Sequence, residues 1–185
     1  MVTFNRHSLN NKETIVGEYD LLVTKTDAKG RLTYASSAFQ KIAELTEEEL
    51  LGQPHNIIRH PDMPRAIFYH LWTYISKGEE VFAFVKNRTK SGGFYWVLAH
   101  VTPITHIKSG EIYGYHSSRR RMPSYVRSDV EALYARLREV EAKFNHPKEA
   151  AMEAHKVLLQ EIGAQNSVDY TKWLFNLIEQ QSLAA

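Results

Sequence analysis

The chain contains no cysteine. That single absence excludes disulfides, iron–sulfur clusters, cysteine-ligated zinc ribbons, thiolate-ligated haem and covalently attached c-type haem. It equally excludes light chemistry in which a thiol adds to a cofactor ring. No apolar run approaches the roughly 18 residues that cross a bilayer, and Met1–Asn10 lacks the apolar core of a secretory signal. A cytoplasmic protein with no direct membrane insertion is the expectation. Charge of one sign is also missing: 23 Lys and Arg face 21 Asp and Glu, a net charge of +2. Such a balance creates no strong field for nucleic acid or acidic lipid. The short basic cluster Arg119-Arg120-Arg121 reads as a contact to a partner or to an acidic residue of the tail, with no nucleic acid expected. There is no P-loop, no Gly-x-Gly-x-x-Gly, no His-Glu-x-x-His and no nucleophile elbow, so catalytic turnover is not expected.

What is present is ordinary globular material, 43% apolar and 24% charged, in a length that suits one domain plus an appendage. Residues 1–18 are polar and irregular and read as an N-terminal cap with a short helix before Gly17. The β-rich run Leu21–Thr26, the turn Asp27–Gly30 and the run Arg31–Ala35 predict a hairpin. Ser36 or Ser37 can cap a helix through Phe39, Ile42 and Ala43. Thr46 with Glu49 forms a capping box that Gly52 ends. Pro54, Pro61 and Pro64 forbid one long helix between them. Arg65–Lys77 predicts a helix with Ile67, Phe68, Leu71, Trp72 and Ile75 on one face. Three strands follow: Val81–Val85, Phe94–Val101 and Ile112–Ser117. The order predicts an α+β domain over 19–122, a five-stranded antiparallel sheet with helices on one face. Residues 123–185 predict an α-helical C-terminal tail for output or dimerisation. Val126, Val130, Leu133, Leu137, Val140 and Phe144 form a heptad seam on a helix started by Ser128. That seam suits either a coiled-coil homodimer or antiparallel helical packing.

The block Gly52-Gln53-Pro54-His55-Asn56-Ile57-Ile58-Arg59-His60-Pro61-Asp62-Met63-Pro64 is distinctive. Together with Val85-Lys86-Asn87-Arg88, Tyr95-Trp96-Val97 and Gly114-Tyr115, it resembles the flavin-binding PAS domain of the bacterial aerotaxis receptor family. The resemblance covers about residues 19–121 and implies a PAS fold holding FAD non-covalently as a redox sensor in energy taxis. It also implies the stand-alone type, signalling to a separate membrane chemoreceptor or another signalling protein. Cofactor-binding positions carried over by the resemblance are His55, Arg59, His60, Asp62, Trp72 and Asn87. Trp96 joins them as an aromatic surface. Val81 and Ser36 stand where the family pattern has Trp and Asn, so one stacking face is lost or is supplied by Phe82 or Phe84.

A flavin ring is a flat apolar slab with a polar edge, so its pocket needs stacking surfaces and a few fixed hydrogen bonds. His55 could stack on it. Arg59 could meet the pyrophosphate or the N1–C2=O edge. Asp62 could orient His60 or Arg59, and Asn87 offers both donor and acceptor. His100 and His116, on the last two strands, keep b-type haem open as the alternative cofactor. A cofactor-free docking module whose pocket is filled by side chains is the other alternative.

Overall fold

The computed structural model describes residues 9–184, and they divide into two compact units that do not follow chain order. One unit joins the residues up to His60 with Phe84–Arg121; the other joins Pro61–Ala83 with the residues from Met122 onward.

The first unit is built on a sheet of β1 (Leu22–Asp27), β2 (Leu32–Ala35), β3 (Val81–Arg88), β4 (Phe94–Thr105) and β5 (Ile112–Arg121). The five strands lie in the order β2-β1-β5-β4-β3, with β1 antiparallel to β2 and β5, and β4 antiparallel to β5. The β1–β2 turn forms because Asp27 Oδ1 accepts from the backbone N–H of Lys29 and Arg31 at 2.8 and 2.9 Å. Gly30 supplies the positive φ of 76° that the turn needs. Gly114 is held close under the Thr26 carbonyl of β1, leaving no room for a side chain.

Two short helices follow the hairpin. Ser36 caps α1 (Ser37–Ala43), its Oγ accepting from Phe39 N at 3.3 Å. The expected capping box starts α2 (Glu47–Leu50): Glu49 N donates to Thr46 Oγ1 and Thr46 N to Glu49 Oε2. Replacing Thr46 with Ala is expected to cost about 1 kcal/mol, read as a lower urea midpoint with an unchanged slope. The helix expected before Gly17 is absent. Thr14 N donates to Phe94 O at 2.8 Å and Phe94 N to Lys12 O at 3.0 Å, so the segment runs extended along β4. Backbone pairing with Phe94 satisfies groups that a single helical turn would have left open. Residues 1–8 of the expected cap lie outside the described residues.

The second unit is helical: α3 (Arg65–Ile75), α4 (Arg127–Glu141), α5 (Pro147–Glu161) and α6 (Ser167–Ala184). Pro147 occupies the first turn of α5, where its missing N–H costs nothing. Ser128 does not start α4. A 3-10 turn at Ser124–Val126 leads directly into it, and Ser128 sits exposed in the first turn. Val126, Val130 and Leu137 of the heptad seam are fully buried, and α4 packs on α3 and α5. The seam is covered within the chain, which selects antiparallel packing over a coiled coil. The α3 face also differs from expectation: Ala66, Ile67, His70, Tyr74 and Ile75 are buried, while Trp72 is 41% exposed. α3 has no side-chain cap of its own at Pro64; Ala66 N instead donates to the buried Glu141 of α4 at 2.9 Å.

Candidate functional site: a polar inner face of the sheet

Side chains alternate across a strand, so pairing register defines which residues share a face. Leu22, Thr24 and Thr26 of β1 stand opposite Arg119, Ser117 and Tyr115 of β5. Arg119, Ser117 and Tyr115 in turn stand opposite Ala99, Val101 and Pro103 of β4. Two positions before Val97 on that strand, Tyr95 takes the same side. A buried sheet face is normally apolar, yet this one carries Thr24, Ser117, Arg119 and Tyr95, all buried.

The centre of the face is a guanidinium. Arg119 is 4% exposed; Nη1 donates to Thr24 Oγ1 at 3.0 Å and Nη2 to His55 Nε2 at 2.7 Å, and the group lies 5.5 Å over the Phe39 ring. Because a guanidinium only donates, His55 accepts at Nε2, is neutral and carries its proton on Nδ1. Desolvation, then the facing Arg119 charge, pulls the His55 pKa down to about 3. Burial lowers that of Arg119 to about 10, partly opposed by neighbouring Tyr95. No carboxylate pairs with Arg119 among the described residues.

Four further groups on this side lack hydrogen-bond partners although their atoms are buried: Thr26 Oγ1, Ser117 Oγ, Asn87 Nδ2 and Tyr95 OH. Burial raises the Tyr95 phenol, while Arg119 and the nearby Asn87 amide favour the phenolate without forming a well-aligned bond. Unmade bonds of buried polar groups cost about 1–3 kcal/mol each, and four such groups lie on this side of the sheet.

The loop bearing the distinctive motif is fastened to this sheet. His55 opens a 3-10 turn (His55–Ile58), its N–H donating to Gly30 O at 2.9 Å, and Ile58 is buried beneath. Arg59 pairs with Asn87 of β3 as an isolated antiparallel bridge, and His60 N donates to Lys86 O at 3.3 Å. The structure therefore brings His55 to Arg119, and Arg59 to Asn87. The buried His60 ring meets Phe94 edge-on at 5.9 Å. Trp96 is buried, but alternation puts it on the sheet face opposite Tyr95. His100 and His116 occupy that opposite face too. Asp62 and Trp72 belong to the helical unit, where the Asp62 carbonyl accepts from Arg138 at 2.6 Å. Phe82 packs on Phe175 at 5.0 Å, and Ser36 Oγ is committed to Val23 N and Phe39 N.

Arg119 corrects the sequence expectation for the basic cluster: it turns inward, away from any role as a surface contact, while Arg120 and Arg121 are exposed. Its alternation with Ser117 and Tyr115 was the available signal, hidden by two adjacent arginines. A second unforeseen cluster lies in the helical unit. His70 Nδ1 and His155 Nε2 share a proton at 3.0 Å, with Tyr170 stacked 4.3 Å from His70 and Tyr74 at 4.8 Å. Among the described residues no three His, Asp or Glu gather as a metal site, and no helix is long and apolar enough to cross a membrane.

Strand order, the helices α1 and α2 and a loop strapped to β3 define a PAS domain, and the PAS fold family matches residues 32–119. The chain carries an aerotaxis-receptor-like PAS domain: it is 39% identical over 129 residues to the aerotaxis receptor of Escherichia coli (strain K12), covering 70% of this chain and 25% of that protein. It is also 26% identical over 107 residues to the nitrogen fixation regulatory protein of Klebsiella pneumoniae, covering 58% of this chain and 21% of that one. The chain thus spans about a quarter or less of these curated relatives. The crystal structure of a PAS domain from Colwellia psychrerythraea superposes with a TM-score of 0.51 at 17% identity, over 57% of this chain and 89% of that one.

Proposed function

We propose that the chain is a cytoplasmic, non-enzymatic redox or oxygen-linked sensor that holds FAD non-covalently and signals to a chemotaxis receptor of the membrane. The observation that carries this reading is the set of buried, unpartnered polar atoms on the inner sheet face. An isoalloxazine edge presents carbonyls and ring nitrogens, which match donors such as Asn87 Nδ2 and Tyr95 OH. When bound, FAD would supply reversible electron storage. The chain's own residues would do the rest. His55, neutral and partly covered, offers a ring face. Asn87 offers donor and acceptor from one amide and can answer a change at the ring by rotating. Arg59, bridged to Asn87 through the backbone, and His60 would take the remainder of the cofactor. Output would pass through the helical elements between Ser124 and Ala184.

The test is the visible spectrum of the purified protein, followed by titration with FAD. Paired flavin absorption bands and saturable uptake are expected, with Asn87→Ala weakening FAD at least about tenfold, the loss of one hydrogen bond to a buried group. A Soret band would instead identify haem. A colourless protein that takes up no FAD would identify a docking module and end the sensor reading.

A further inference from the structure

We infer that Arg119 is the residue that fixes the charge of the bound ring, favouring a ligand edge that carries negative charge; this rests on the cofactor reading above. The strongest candidate for that duty in the sequence was Arg59, whose backbone is held by Asn87. Arg119 has the more telling surroundings. It is a fully enclosed cation whose hydrogen-bond acceptors, Thr24 Oγ1 and His55 Nε2, are both neutral. The aromatic ring of Phe39 offers only a quadrupole. Buried charges are normally matched by an opposite charge, because an unmatched one carries a desolvation cost of several kcal/mol. A guanidinium has five N–H donors. Those two acceptors leave several unused, beside the unpartnered Tyr95 OH and Ser117 Oγ.

His55 makes this arrangement directional. Held neutral, it cannot add a second positive charge, and by accepting from Nη2 it fixes the plane of the guanidinium. Thr24 fixes the other arm from β1. Positive charge is thus preorganised at one place on the sheet, before any ligand arrives. Two electrons from a reductant such as dithionite, together with a single proton taken up at N5, leave a flavin with one added negative charge at its N1–C2=O edge. Arg119 stabilises that state over the oxidised one, and so raises the affinity for the reduced cofactor relative to the oxidised cofactor.

The experiment is an anaerobic potentiometric titration of the full chain with FAD, for the wild type, Arg119→Lys and Arg119→Met, alongside fluorescence titration of oxidised FAD. Arg119→Met should lower the reduced-to-oxidised affinity ratio at least about tenfold, a fall in midpoint potential of about 30 mV for two electrons. Arg119→Lys should retain most of the ratio. The wild type should take up one proton per two electrons through the mildly acidic range in which free FAD takes up two, a measurement that stands even if Arg119→Met does not fold. An unchanged ratio in Arg119→Met, or uptake of two protons by the wild type, overturns the assignment while leaving the cofactor reading intact. Absence of FAD binding to the wild type overturns both.

Discussion

Tyr170→Ala is expected to lower stability by about 3–5 kcal/mol, a loss typical of removing a large buried ring. Tyr170 is 1% exposed on α6, and its ring stacks on His70 of α3 at 4.3 Å and meets Trp173 at 5.6 Å. Its hydroxyl exchanges a hydrogen bond with Tyr134 of α4, and burial pushes the phenol pKa up. One side chain therefore ties three helices of the unit. Tyr170→Phe keeps the ring and gives up only that hydrogen bond, for about 1 kcal/mol. Urea unfolding of both variants separates packing from polarity. A loss below about 1 kcal/mol in Tyr170→Ala would mean that α6 does not dock on α3 as described.

Acidification supplies the second large effect. Desolvation, with His155 alongside, lowers the His70 pKa to about 3, against about 6.5 for an exposed imidazole. A base depressed in the folded state keeps its full stability above the unfolded pKa. It loses stability as pH falls below that value, because the unfolded chain binds the proton first. Between about pH 7 and about pH 5 the cost from His70 is about 2 kcal/mol, at 1.36 kcal/mol per unit below about 6.5. His55, also lowered to about 3, steepens the curve in the same direction when no ligand is bound. Comparing urea midpoints of wild type and His70→Phe at the two pH values isolates the pair. Parallel losses in both proteins would remove His70 from the account.

Local signals in the sequence were read with good fidelity because their causes are local. Asp27 and Gly30 make the hairpin turn, Ser36 and Thr46 cap the helices, and Pro147 opens α5, each through neighbours within about four residues. The succession of two strands, short helices and three further strands along the chain followed from the same punctuation. What escaped depends on distance along the chain. His55 and Arg119 are 64 residues apart, His70 and His155 are 85 apart, and no periodicity links either pair. Apolar counting turns α3 toward Trp72 because it treats histidine and tyrosine as surface residues. Pairing with His155 and stacking on Tyr170 let His70 take the inside position instead. The extended segment at Lys12–Thr14 escaped for a similar reason, since its partner Phe94 is far away in sequence.

The sharing of α3 between the middle of the sequence and the C-terminal helices limits how the chain can be divided. A fragment ending at Arg121 would keep α3 yet shed His155, Glu141 and Tyr170, uncovering Ala66, Ile67 and His70 and stranding the amide of Ala66. Residues 122–184 are therefore no detachable cassette. Exchanging them for a foreign C-terminal segment requires regrafting the stretch from Pro61 to Ala83 in the same operation.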